Sequence, residues 1–191
     1  AGGSGVWRGD RLHVSHNWSA WRVLANGPIR AVFEIDYAPW QADGVTVRET
    51  KRFTVDAGRN LDRIESTFTF EGAPELTIAL GLGTNPKLQP VITQRAEQDW
   101  LSDWSVYAKP EEGALGTAVV LSPGAQRGFA KNELNHLILT VARSGEPIVY
   151  YAGGGWSRSE DFSTQADWEA YLAAFAQRLR SPVTVTLDSA E

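Results

Sequence analysis

The sequence predicts a mainly β protein: an antiparallel β-sandwich with one helix near the C-terminus. Three observations predict it. Apolar residues alternate with period two over much of the chain, as in strands with one buried face. Short turns, not helical crossovers, separate the alternating runs, which favours antiparallel pairing over a parallel α/β fold. A single convincing stripe of apolar residues at helical spacing occurs, and it lies close to the end.

Each element follows from local pattern. Ile29, Ala31, Phe33, Ile35 and Tyr37 share one face of a first strand, with Arg30, Val32, Glu34 and Asp36 on the other. Gly27-Pro28 precedes it and the Asp43-Gly44 turn signal follows. Residues 45–60, VTVRETKRFTVDAGRN, give a second strand ended by the Ala57-Gly58 turn. Residues 61–70, LDRIESTFTF, give a third, with Ile64, Phe68 and Phe70 on one face. Leu76, Ile78, Leu80 and Leu82 mark a fourth, and further strands are expected at 104–107, 117–121, 134–142, 148–151 and 183–187. For the helix, Thr164 is a good N-cap, with Asp167 three residues on as a weak capping box. Trp168, Tyr171, Leu172, Phe175 and Leu179 form a stripe that packs on a sheet, and Ser181-Pro182 closes it. Without repeats, low-complexity tracts or linkers, residues 1–191 read as one β-sandwich domain. The opening Ala1-Gly2-Gly3-Ser4-Gly5, with no initiator methionine, reads as a mature or cut product.

Bulk composition excludes several classes. The net charge is −5 with no block of like charges, which argues against nucleic acid as partner. No apolar run approaches the roughly 20 residues that span a bilayer, so no membrane partner is expected. The absence of cysteine removes disulfides, thiolate zinc sites and cysteine nucleophiles. Eight tryptophans are the outlier. Packing accounts for most of them, but an indole face also stacks on sugar C–H groups.

Two regions carry candidate chemistry. On the second strand Val45, Val47, Phe53 and Val55 share a face that Glu49 and Lys51 interrupt. The opposite face holds Thr46, Arg48, Thr50, Arg52 and Thr54. Arg63, Glu65, Thr67 and Thr69 line one side of the third strand. If the two strands form a hairpin through Asp56–Asn60, arginine, glutamate and threonine spread over one sheet face. That face is either a solvated lattice of ion pairs or a grip on an acidic polymer, since the guanidinium fork suits carboxylates. The second region is YYAGGGWSRSEDF, 150–162. Its three glycines either turn Trp156 toward a groove or make room while Trp156 plugs the gap between helix and sheet. In the first case Arg158 meets a carboxylate, Asp161 lies close by, and Tyr150 and Tyr151, on opposite faces, contribute one hydroxyl between them. His13 and His16 fall on opposite faces, so no metal pair is expected. His136, sharing a face with Ile138 and Thr140, reads first as structural and second as a base. No Gly-x-Ser-x-Gly elbow occurs. No cofactor or metal is expected, with calcium left open.

Three stretches resemble the DUF4861 family: GVWRGDRLHVSHNWSAWRVLANGPIRAVFEIDY, VTVRETKRFTVDAGRNLDRIESTF and YYAGGGWSRSEDFSTQADWEAYLAAFAQRLRSP. The resemblance spans nearly the whole chain and implies a bacterial protein of pectin and rhamnogalacturonan degradation. It also implies a supersandwich similar to galactose mutarotases and a periplasmic or extracellular place. Family members carry a further stretch before the matched region. The chain is therefore expected to be a fragment, or to meet a second chain that supplies the N-terminal part. The function expected is action on acidic plant polysaccharide or its oligosaccharides, as a lyase or a glycoside hydrolase. In a lyase, Arg63 or Arg158 neutralises the uronate and Tyr151 or His136 takes the α-proton. In a hydrolase, Glu49 pairs with Glu65 or Asp161. Substrate contacts are expected from Trp156, Arg158, Arg63, Arg48, Tyr150 and Asp161. The alternative is a non-catalytic carbohydrate-binding sandwich, and a weaker third idea is a sugar epimerase.

Overall fold

Two antiparallel sheets face each other across an apolar interior in the computed structural model, which describes residues 1–186 apart from Pro86 and Gln89. The smaller sheet is built from β1 (Gly3–Arg8), β2 (Arg11–His13), β7 (Leu76–Gly83), β11 (Gly128–Lys131) and β12 (Asn135–Ala142), in the order β11-β12-β7-β1-β2. The larger holds β3 (Trp18–Asn26), β4 (Arg30–Ala42), β5 (Val45–Asp56), β6 (Leu61–Phe70), β8 (Val91–Arg95), β9 (Trp100–Val106), β10 (Ala114–Leu121) and β13 (Pro147–Trp156). Its order is β3-β4-β5-β6-β13-β10-β9-β8. One α-helix, α1 (Gln165–Arg180), lies near the C-terminus. The mainly β, antiparallel architecture with a single C-terminal helix is the one that the periodicity predicts.

Local chemistry sets the elements. Asp43 and Gly44 both have positive φ, 50° and 83°, as a two-residue hairpin turn of primed type requires, and they join β4 to β5. Thr164 caps α1 with a complete capping box. Its Oγ accepts the Asp167 N–H, and the Asp167 carboxylate accepts the Thr164 N–H at 2.9 Å. Several expectations change. The strand expected at 148–151 continues through all three glycines to Trp156, so the run is sheet and not a turn. Residues 183–186 lie outside any strand, and Leu187 falls outside the described residues. β3, whose period is broken by two register shifts, the short β1, β2 and β11, and β8 had no alternation long enough to declare them.

Two interiors result. Between the sheets, Val6, Ile78, Leu80 and Ile138 of the smaller sheet meet Val47, Phe68, Leu101, Val119 and Tyr150 of the larger. On the outer face of the larger sheet, α1 covers β9, β10 and β13, burying Trp100, Ala118, Val120, Trp168, Leu172 and Phe175. A Cβ on Gly116 would lie 2.8 Å from the Trp168 ring, and one on Gly155 would collide with Phe162. The glycines of β10 and β13 thus seat the helix aromatics. The residue lodged against them is Trp168, not Trp156.

Asp99 ties the helix end to the sandwich. It is buried, accepts the N–H groups of Gly124 at 3.1 Å and Gln126 at 3.3 Å, and pairs with Arg180 at 2.8 Å. Asp99→Ala is expected to cost about 2–3 kcal/mol, because it strands two backbone donors and a guanidinium. Urea unfolding monitored by circular dichroism checks it.

Candidate functional site

Helix α1 leaves the outer face of β3–β6 open, and the charged side chains expected there form a ladder across the strands. The registers place Arg22 beside Glu34, Glu34 beside Arg52, and Arg52 beside Glu65. The Glu34 carboxylate, nearly buried, accepts from Arg22 and from Arg52 Nε at 2.7 Å. Arg22 also reaches Asp36 at 3.3 Å. Most of these guanidiniums are neutralised by neighbours, and as surface pairs they contribute little stability each.

At the end of this face, where the β5–β6 turn meets α1, a cavity of about 310 Å³ opens. Arg30, Thr54, Asp56, Arg59, Arg63 and Tyr151 line it, with Leu61 as apolar floor. Arg30 forks onto Asp56, with Nε at 2.5 Å and Nη2 at 2.9 Å. Asp56 is held below its usual range chiefly by the Arg30 hydrogen bond. Arg63 is bidentate to Glu65, at 2.8 and 3.1 Å. The Glu65 hydrogen bond is the main cause that raises the Arg63 pKa, with the nearby Tyr151 hydroxyl adding to it. Arg59 approaches Asp56 only to 3.9 Å and is the least engaged of the three cations. Tyr151 is half-buried, set edge-on against Phe175 of α1 at 4.9 Å. Three guanidiniums, one phenol and the Asp56 carboxylate therefore meet at one hollow; Asp56 engages Arg30 and Glu65 engages Arg63, which leaves Arg59 the cation best placed to meet an outside anion.

Of the residues singled out from the sequence, Arg63, Tyr151 and Glu65 meet here. The others do not. Glu49 lies on the opposite face of the sheet, buried between the layers, so the Glu49–Glu65 pair expected for hydrolysis is split by the sheet itself. There Glu49 accepts from Ser4 Oγ at 2.6 Å and from Ser66 Oγ, and it stands 3.7 Å from the buried Lys51 Nζ. Tyr150 is fully buried and donates to the Gly2 carbonyl at 2.9 Å. Burial, followed by the Glu49 charge, pushes its pKa well up. His136 points from β12 into the same interior, toward the buried Asp103 of β9. Asp103 is raised by burial, against the opposing Ser105 hydrogen bond and the His136 charge. Arg48 shares the outer face with Arg63 but sits six residues along β5 from Thr54, the partner of Arg63, or about 20 Å away. Trp156, the last residue of β13, and Arg158 and Asp161 just after it are exposed, and the Trp156 N–H donates to the Glu112 carbonyl at 2.8 Å. Among the described residues no group of three or more His, Asp or Glu is placed to hold a metal.

Arg30, Asp56 and Arg59 were missed, whereas Thr54 was already placed on the polar face of the second strand. The hairpin through Asp56–Asn60 was legible, and pairing across it would have drawn Arg59 toward Arg63. Arg30 needed the β4–β5 register, which sets it opposite Asp56.

Comparison with known proteins adds a relationship. A curated relative from Formosa agariphila, named "Uncharacterized protein P7", is 32% identical over 192 residues. The match covers 97% of this chain and 47% of the relative, so the chain spans about half its length. The family model described as "Domain of unknown function (DUF4861)" matches residues 1–185, and the chain belongs to that family.

Proposed function

We propose that this chain binds an acidic plant polysaccharide or its oligosaccharides, of the pectin or rhamnogalacturonan type, in the cavity between Arg30, Arg59, Arg63 and Tyr151. The observation that carries the reading is the convergence of three guanidiniums and a phenol on one hollow of about 310 Å³, at the small end of ligand-sized clefts. Arg59, loosely held, is free to take a uronate carboxylate, while Thr54 and Tyr151 offer hydroxyls to sugar oxygens. A bacterial periplasm or cell exterior is the setting in which such a polymer is met. Binding is favoured over hydrolysis, because Glu49 and Glu65 stand on opposite faces of one sheet, and the two carboxylates at the hollow, Asp56 and Glu65, are each engaged by a bidentate guanidinium.

Elimination is the second reading, favoured by Tyr151 standing beside Arg63. The guanidinium would neutralise the uronate and acidify its α-proton, which passes to the Tyr151 oxygen acting as base. The C–O bond to the next sugar breaks as the C=C forms, and the phenol proton passes to the departing oxygen.

Retardation in gels cast with polygalacturonate or rhamnogalacturonan measures binding, and ultraviolet absorbance of an unsaturated product measures elimination. Arg63→Ala is expected to weaken binding about tenfold, the equivalent of one charge-assisted hydrogen bond. Its thermal midpoint should hardly move, since the Arg63–Glu65 pair is partly exposed. Unaltered retardation of both Arg63→Ala and Arg59→Ala would remove this cavity as the site.

A further inference from the structure

The inner face of the larger sheet continues past the end of the smaller one. On β3 and β4, Trp18, Trp21 and Val23 are 54%, 62% and 55% exposed, beside Phe33 and Ile35. Together they border an apolar concavity of about 450 Å³. This face is not separate from the core. Phe33 stacks on Phe53 at 4.8 Å, and Phe53 packs against the inter-sheet interior. The layer above simply stops. Ser4 of β1 bonds Glu49 of β5, which sets β1 over β5, and β7 lies over β10 on one side. β2 is therefore on the other side, toward β4 and β3. It is three residues long and ends the smaller sheet with a free edge. Monomeric proteins rarely leave so large an apolar sheet face and an adjoining open edge to water.

We propose that this shelf is a docking surface for a β-rich protein segment that adds strands to the free edge of β2 and covers Trp18, Trp21, Val23, Phe33 and Ile35. The occupant is the counterpart of the further part of the polypeptide in the F. agariphila relative, of which this chain matches 47%. Its chemistry is that of a sandwich interior: an apolar inner face, with main-chain hydrogen bonds to β2. A sugar fits this surface less well. Among the described residues its lining carries no charge and, besides the two indoles, a single polar side chain, that of Asn26. A sugar face wants several hydrogen-bonding partners around its aromatic platform.

Coexpression of the 191-residue chain with the residues of the F. agariphila relative outside the matched region, on a second polypeptide, tests this. A 1:1 complex by light scattering is expected, with Trp18 and Trp21 shielded from iodide quenching. Trp21→Glu and Val23→Lys, both at exposed positions, should each abolish the complex while far-UV circular dichroism and the thermal midpoint of the chain stay unchanged. Trp156→Ala, at an exposed tryptophan remote from the shelf, should leave the complex intact. Absence of a complex overturns the proposal, as does a complex indifferent to both shelf variants. Self-association of the chain alone that Trp21→Glu dissolves would assign the face to a second copy and also overturn it. None of these outcomes depends on carbohydrate binding.

Discussion

Trp168→Ala is expected to lower the unfolding free energy by about 3–5 kcal/mol, the range for emptying a buried indole site. Trp168 is fully buried, its N–H donates to Ser102 Oγ at 2.9 Å, and its ring meets Phe162 edge-on at 5.0 Å and stacks on Tyr171 at 5.6 Å. The site cannot collapse to refill the void, because its floor is the backbone of Gly116 and Gly155 in two hydrogen-bonded strands. The variant also leaves the Ser102 hydroxyl without its donor. Urea unfolding at 25 °C reads the loss. A change below about 1 kcal/mol would mean that α1 contributes little to holding the sandwich, contrary to the packing described.

Glu49→Gln is expected to cost a similar amount, about 3–5 kcal/mol near neutral pH, by leaving a buried ammonium without its counter-charge. Burial already lowers the Lys51 pKa, and the Glu49 charge and hydrogen bond are the two influences that oppose it. Removing them lowers it further. Between the lowered folded pKa and the ordinary lysine value, the unfolded chain binds more protons than the folded one, so stability rises with pH. The deficit of the variant should therefore shrink as pH rises from neutrality toward the ordinary lysine range. Beyond about pH 10 wild type and variant both lose stability, since Tyr37 and Tyr150 have raised pKa values and unfolding lets them ionise. Thermal midpoints across this range, wild type beside variant, check the sign. A deficit that widens on alkalinisation would mean that Lys51 does not carry the buried charge.

How much of this was legible in the sequence differs by element. The long hairpins β4–β5–β6 announced themselves, since strict alternation with Asp43-Gly44 between runs leaves little else to build. So did α1, through its cap and stripe. β3 was hidden because both of its faces are open to water, so WSAWRVLAN shows no clean polar-apolar alternation. The glycine run misled for a related reason. Glycine after a strand signals a turn, yet here the missing Cβ atoms answer tertiary packing: Gly155 makes room for Phe162 and Trp168, while Gly153 and Gly154 lie against the backbone of Asn60 and Gly116. For the site, face assignment on β5 and β6 was correct from parity alone, which grouped Arg63 with Glu65 and set Tyr151 apart from Tyr150. What parity cannot give is depth. Glu49 and Lys51 interrupt an apolar face either by lining a groove or by pairing in the dry, and the second smaller sheet decides for the dry. Convergence of Arg30 with Arg63 needed the register of three strands.

β13 sends Tyr150 and Ala152 into one interior and Tyr151, beside Gly153 and Gly155, toward the other. With β9 and β10, which divide Leu101 and Val119 from Trp100, Ala118 and Val120 in the same way, the ribbon forms a common wall between the two compartments. A loosening on the helix side is therefore expected to reach the far layer through these strands, so that both compartments melt in one transition. A ligand that binds the folded form at the hollow by Tyr151 would raise the stability of both compartments together, by mass action on the folded state.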